Sequence, residues 1–397
     1  MGAHAKHFRP SAAERWMNCP GSVALCAEIP ESESSEYAAE GTAAHLLAAE
    51  LLETGGTAED HIGRVIKVAP YSFAVDEAFA GHVQTYVDRV REYADEGDLL
   101  VEQRVKFGPA IGAGDDEGTS DAVILAPPEL QVHDLKFGMG VKVYAERNPQ
   151  LMLYALGALR EYDILGEFER VRMVIHQPRL GHLSEWDCTA KELQAFADQA
   201  GAKVAAAERC LLEGFAKDDD LNPGEAQCRW CPVKATCPAL AVVVAETTAC
   251  DFADLTAPAE PPQEPDDLAG KMTLVDLIEG WCKAIRSEVE ARLLKGVSVP
   301  GFKLVEGRRG ARKWVSDDEA EEALKGMRLK TAQMYDLKLI SPTTAEKLKK
   351  SAAIGPRQWK RLEALVERRD GKPSVALESD PRPAISLAAD GEFDSLT

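Results

Sequence analysis

The chain has 397 residues, 45% hydrophobic and 28% charged, a make-up that fits a globular protein of two or three domains with a sizeable core. Its formal net charge of −20 excludes a protein that coats nucleic acid non-specifically, although a local basic groove can coexist with an acidic exterior. The polar first residues lack the apolar stretch of an export signal, and the apolar run at 239–245 is too short to span a bilayer. The sequence therefore reads as cytoplasmic, where nine reduced cysteines point to metal binding or packing rather than disulfides.

In chain order, Ser11 and Glu14 have capping-box spacing and predict a helix that brings Trp16 and Cys19 near its end, ahead of Pro20. Residues 36–54 predict a second helix with Leu46, Leu47, Leu51 and Leu52 on its apolar face, and a third is expected over 75–95. Strands are expected at 99–107, 119–126 and 130–137, separated by "GPAIGAGDDEG" and "PPE". Residues 148–162 predict a helix with Pro149 in its first turn, 171–178 and 182–188 two further strands, and 189–213 a long helix. The Pro- and acid-rich stretch 254–270 reads as a linker between residues 1–253 and a smaller module, 271–370. Within that module 301–315 predicts a two-stranded hairpin, and 371–397 reads as a disordered tail. The layout is α+β: a mixed sheet flanked by helices, followed by a smaller C-terminal α/β module.

The chemistry-bearing stretch is "GTSDAVIL", then "HDLK", then "NPQLMLY". On a strand, Asp134 and Lys136 project from one side, and Asp121 on the preceding strand can add a second carboxylate. Hard oxygen ligands of this kind suit Mg²⁺ or Mn²⁺ and phosphodiester hydrolysis. The Asp/Lys pair lies in an otherwise apolar run, where uncompensated charge is costly and a metal would compensate it. Taken alone, His45 on its Leu/Ala-rich helix is a hydrogen-bonded core residue. Gln150 and Tyr154, one helical turn apart, are a buried polar pair, and Glu40 and Glu102 are structural.

The ordered set "GTAAH" (41–45), Asp121, "DLK" (134–136) and "QLMLY" (150–154) resembles the RecB-like branch of the PD-(D/E)XK nucleases, over roughly residues 10–250. The resemblance implies a restriction-endonuclease-like sheet with His45, Asp121, Asp134 and the Leu135 carbonyl as metal ligands. It further implies Lys136 as the catalytic lysine, with Gln150 and Tyr154 positioning DNA and that lysine.

Cys228, Cys231 and Cys237 leave a tetrahedral or cubane centre one ligand short. Cys19, followed by proline like two of the three, is the expected fourth, with Cys26 its competitor. One upstream and three downstream cysteines resemble the Cas4-like iron–sulfur nucleases, which implies a [4Fe–4S] cluster, with Zn²⁺ the alternative. Such a centre would staple the two ends of the nuclease domain together.

In the C-terminal module, Arg308, Arg309, Arg312 and Lys313 beside a tryptophan, and the basic stretch 347–362 with another, read equally as contacts to a nucleic-acid backbone and stacked bases or as a solvated hairpin and helix face. The same region resembles a phage- and prophage-encoded RecB-like family, which implies the bacterial host cytoplasm. The expectation is thus a Mg²⁺- or Mn²⁺-dependent exonuclease acting on DNA ends or single strands in phage recombination or replication. A single-strand-binding protein, annealing protein or helicase is the expected partner, and no membrane is involved. The competing expectation is a non-catalytic DNA-binding or assembly scaffold on a nuclease-derived fold.

Overall fold

A computed structural model of the chain describes residues 7–29, 35–95, 97–252, 265–307, 313–327, 329–335, 339–367, 371–377 and 382–383. The chain splits into two compact units, Met1–Cys282 and Lys283–Thr397. The first opens with a 3-10 turn, Pro10–Ala12, then α1 (Ala13–Asn18) and α2 (Ser22–Cys26). After α3 (Glu36–Thr54) come a hairpin of β1 (Val65–Val68) and β2 (Tyr71–Ala74), and then α4 (Glu77–Tyr93). β3 (Asp98–Lys106), α5 (Gly108–Ile111), β4 (Glu117–Ala126) and β5 (Glu129–Leu135) lead to α6 (Pro149–Tyr162). β6 (Arg170–Gln177), β7 (His182–Thr189), α7 (Ala190–Glu213), α8 (Glu225–Arg229), α9 (Pro238–Phe252) and the start of α10 (Pro265–Leu294) follow.

The central sheet has the order β3-β4-β5-β6-β7 and is antiparallel except for the β5–β6 pair. A parallel pair needs a crossover, and α6 supplies it. All seven residues of β5 are buried, as a central strand covered on both faces requires. Leu130 and Val132 pack with α6 and α7 on one face, while Leu135 packs with α3 and α4 on the other. The helix starts are capped as their residue types demand. Ser35 accepts from the Ala38 N–H, Asp76 from Phe79, and Asn148 from Gln150 and Leu151, while Thr189 and Glu192 form a capping box.

Several expectations need correction. Ser11 caps nothing: Pro10 starts a 3-10 turn, so α1 begins at Ala13 with Ala12 as an uncapped N-cap. On α3 the buried stripe is Ala39, Ala43, Ala44, Leu47, Ala48 and Leu51; Leu46 is 53% exposed and Leu52 half-buried, because the small alanines beside Leu47 and Leu51 let neighbouring elements approach.

The second unit contains β8 (Phe302–Gly307), β9 (Lys313–Trp314), α11 (Asp317–Gly326), α12 (Thr331–Met334), α13 (Pro342–Lys350), α14 (Pro356–Glu363), β10 (Val366–Glu367) and β11 (Gly371–Leu377). The arms of the expected hairpin do not pair with each other: β8 pairs with β11 and β9 with β10. Residues 371–377, expected in a disordered tail, are therefore a strand. The last six residues of the expected linker belong to α10, while 254–264 lie outside the described residues. Among the described residues no helix is long and apolar enough to cross a membrane.

Candidate active site

The β4–β5 ladder runs from Ala126↔Glu129 to Ala122↔His133 and stops there. Beyond it the Asp121 side chain replaces the backbone: Oδ2 accepts the Leu135 N–H at 2.7 Å, and Oδ1 lies 3.0 Å from Nδ1 of His45 on α3. A residue opposite the strand end is thereby tied to a helix on the other side of the sequence. Asp134, 3% exposed, accepts at Oδ1 from Lys136 Nζ and from Gln150 Nε2, both at 3.1 Å. Lys136 Nζ also donates to Gln150 Oε1 at 3.0 Å, and Gln150 Nε2 reaches the Tyr154 hydroxyl at 3.2 Å. Gln150 and Tyr154 share a face of α6 because they are one turn apart. The Asp134 Oδ2 atom lies 2.8 Å from Lys136 Nζ, yet it is buried without a well-directed hydrogen bond, so its contact is ionic only.

Burial and charge compete throughout this cluster. Burial disfavours the imidazolium of His45, but the Asp121 carboxylate outweighs it and pushes the group up to about 9. Asp121 is held below the usual carboxylate range: burial opposes its charge, but His45 and the Leu135 N–H more than compensate. Asp134 moves the other way, raised by burial and by Asp121 despite its Lys136 partner. Lys136 keeps its proton against burial because Asp134 and Asp121 face it. The cluster thus separates an acid that stays ionised from one that is less so.

The tightest ligand set differs from the expected one. Among the described residues, the group whose ligand atoms all lie within 4.8 Å of one another is His45, Glu102 and Asp121. Asp134 is beside this triad but not in it. Glu102 has φ of 48°, left-handed for a non-glycine residue, and the β3–β4 ladder pairs Val101↔Ala122 and Gln103↔Ser120 around it. Glu40, by contrast, forms a two-pronged pair with Arg179 at 2.7 and 2.8 Å, a structural role.

The four expected cysteines also meet. Cys19, Cys228, Cys231 and Cys237 line one cavity, with Cys19 brought there by α1 and the other three by the segment around α8. Backbone N–H groups point at two of the sulfurs: Asn222 at Cys19 (3.3 Å) and Gly224 at Cys228 (3.5 Å). Cys26 is not in that lining; its Sγ accepts from Arg15 at 3.1 Å and touches Cys231. The described cysteines are free thiols.

Residues 4–383 match the family model described as "Protein of unknown function (DUF2800)". The chain belongs to the DUF2800 family. Among solved structures it is similar to the protein titled "Crystal structure of SSO0001", at 14% identity over 57% of this chain and 96% of that one, with a TM-score of 0.23.

In this DUF2800 chain the C-terminal expectations fare differently. Arg308, Arg309 and Arg312 lie outside the described residues, and Lys313 is exposed. The tryptophans expected to stack bases are core residues instead. Trp314 is 8% exposed and donates to the Ile340 carbonyl at 2.9 Å, and Trp359 is 5% exposed beneath the Lys349 ammonium, 4.9 Å from its ring. Glu102 is the site residue that sequence reasoning set aside. Its only sequence signal is a charged residue interrupting the apolar run "LLVEQRV".

Proposed function

We propose that this DUF2800 protein is a divalent-metal-dependent deoxyribonuclease of the PD-(D/E)XK, RecB-like type, acting at DNA ends or on single strands. The observation that carries the reading is the meeting of six side chains from α3, β4, the end of β5 and α6: His45, Asp121, Asp134, Lys136, Gln150 and Tyr154. The donor set is one imidazole and hard carboxylates, and the buried Asp134 Oδ2 has no directed hydrogen bond, so the residues fit a Mg²⁺ or Mn²⁺ ion. His45, Asp121, Asp134 and the Leu135 carbonyl would hold it, and the bound ion would polarise the phosphate and lower the pKa of a water.

The chain's own groups do the rest. Lys136 is locked by Asp134 and Gln150, so its ammonium brings a fixed positive charge to the place where phosphate oxygens gain negative charge. Gln150 spends both ends of its amide on that task. Tyr154 accepts from Gln150, which leaves its own hydroxyl proton for a phosphate oxygen.

The cysteine set supports a metal staple. All-thiolate lining of one cavity suits a [4Fe–4S] cluster or Zn²⁺, and the arrangement of one upstream and three downstream cysteines favours the cluster. Anaerobic purification followed by iron, sulfide and zinc analysis tests this directly.

Nuclease activity is tested with end-labelled linear and closed circular DNA in Mn²⁺. The expected result is degradation of linear DNA, with circles resistant. Asp134→Ala and Lys136→Ala should each lose on the order of 100-fold or more in rate. Binding of DNA without any metal-dependent hydrolysis would instead favour a non-catalytic scaffold.

A further inference from the structure

Glu102 stands in the middle of β3 with a backbone conformation that costs energy for any residue but glycine. The antiparallel register, Val101↔Ala122 and Gln103↔Ser120, sets this residue opposite Asp121 on the neighbouring strand. Its oxygen, an Asp121 oxygen and a His45 ring nitrogen all lie within 4.8 Å of one another. A second, independent feature surrounds the same place. The Tyr86 hydroxyl, on α4, is buried and has no hydrogen-bond partner among the described residues, and the charges that bear on it are Asp121, Asp134 and Glu102. A buried hydroxyl without a protein partner, in the field of three carboxylates, is satisfied by a water or a hydrated ion at this place.

We propose that Glu102 is a ligand of the divalent cation held by His45 and Asp121. The cation then sits at the gap in the β3–β4 ladder, with Asp134 and its lysine facing it from the adjacent strand end. The inference rests on the metal-dependent reading above and adds a residue that the D-x-K pattern does not contain.

The test is Mn²⁺ binding to the full chain, stripped of metal and followed by the electron paramagnetic resonance of the free aqua ion. Glu102→Gln should weaken binding by about tenfold or more. Glu53→Gln, a nearby but exposed acid outside the triad, should stay within about twofold, since an exposed charge is screened by solvent. Glu102→Gly separates folding from binding. Glycine tolerates the left-handed backbone, so the metal-free protein should melt no lower than the wild type while its Mn²⁺ affinity falls as in Glu102→Gln.

Wild-type affinity in Glu102→Gln, or an equal loss in Glu53→Gln, overturns the proposal. Hydrolysis assays on the same variants keep it apart from the reading on which it rests. Wild-type Mn²⁺ affinity in Glu102→Gln, with hydrolysis abolished in Asp134→Ala, defeats Glu102 alone. Weakened binding in Glu102→Gln, with no hydrolysis by the wild type, defeats the nuclease alone. A wild-type chain that binds no Mn²⁺ defeats both.

Discussion

Two histidines on the α4 face of the sheet are held without charge. Glu129 is gripped by Arg170 and can only accept, so Gln131 donates to it through Nε2 at 2.7 Å and turns Oε1 toward His133 Nε2 at 3.0 Å. His133 therefore carries its proton on Nε2 and offers Nδ1 to Nε2 of His176, 3.0 Å away. Burial pushes His133 well down and His176 from 6.5 to about 4. Below pH 6.5 the unfolded chain takes up protons that the folded chain refuses, so stability falls as pH drops from about 6.5 toward about 4. For His176 the loss is up to about 3 kcal/mol. Denaturant unfolding at pH 7 and pH 4.5 should show that decline, and His176→Gln should flatten it. At this scale the sequence announces Asp121, Asp134 and Lys136 because charge in an apolar strand has to be compensated. It hides Glu102, since no residue pattern marks a left-handed turn within a strand.

The helix that matters most is α6, and a glycine seats it. A Cβ at Gly157 would meet Val105 Cβ at 2.8 Å and its backbone carbon at 3.0 Å, so the helix lies directly on β3. Gly157→Ala should cost about 1–3 kcal/mol through overpacking. It should also slow hydrolysis, because the same helix carries Gln150 and Tyr154; melting and rate measurements on one variant check both. A Cβ at Gly118 would come within 2.7 Å of the Tyr154 ring, a second close seat for the same helix. The five sheet strands and α3, α4, α6 and α7 were legible because their apolar periods are clear. The β1–β2 hairpin was not: of its eight residues only Ile66 is buried, with Val68 and Phe73 partly so, too short an alternation to read. The pairing of β8 failed for another reason. Its partner β11 lies beyond four intervening helices, and local turn chemistry says nothing about so distant a strand.

At the scale of the molecule, the N-terminal segment is bound to residues about 200 positions away. Asn222 donates from its side chain to the Asn18 carbonyl at 3.2 Å and from its backbone to Cys19 Sγ, while Gly21 N–H donates to the Asp220 carbonyl at 2.9 Å. Arg209 holds Asp220 in turn, at 2.5 Å. A loop that long gains more from closure than a short one, so a metal at the four thiols should stabilise the first unit strongly. Cys19→Ser and Cys228→Ser are each expected to lose iron and to lower the melting temperature of that unit. An unchanged iron content in Cys19→Ser with loss in Cys26→Ser would reassign the fourth ligand. Spacing in the Cys-rich segment raises the expectation of a metal site, but that Cys19 meets the other three depends on the folding of everything between.

That long closure has a consequence for how the protein is made. The first two helices leave the ribosome well before the segment they dock against has been synthesised, and the sulfur at position 19 meets Cys228, Cys231 and Cys237 only after about 200 further residues have been made. On the proposed iron–sulfur reading, assembly of the centre would be a finishing step, limited by iron supply rather than by translation. Rapid overproduction in iron-poor medium should yield pale protein whose leading end is clipped by protease, and slow, iron-fed synthesis should yield brown protein that resists it.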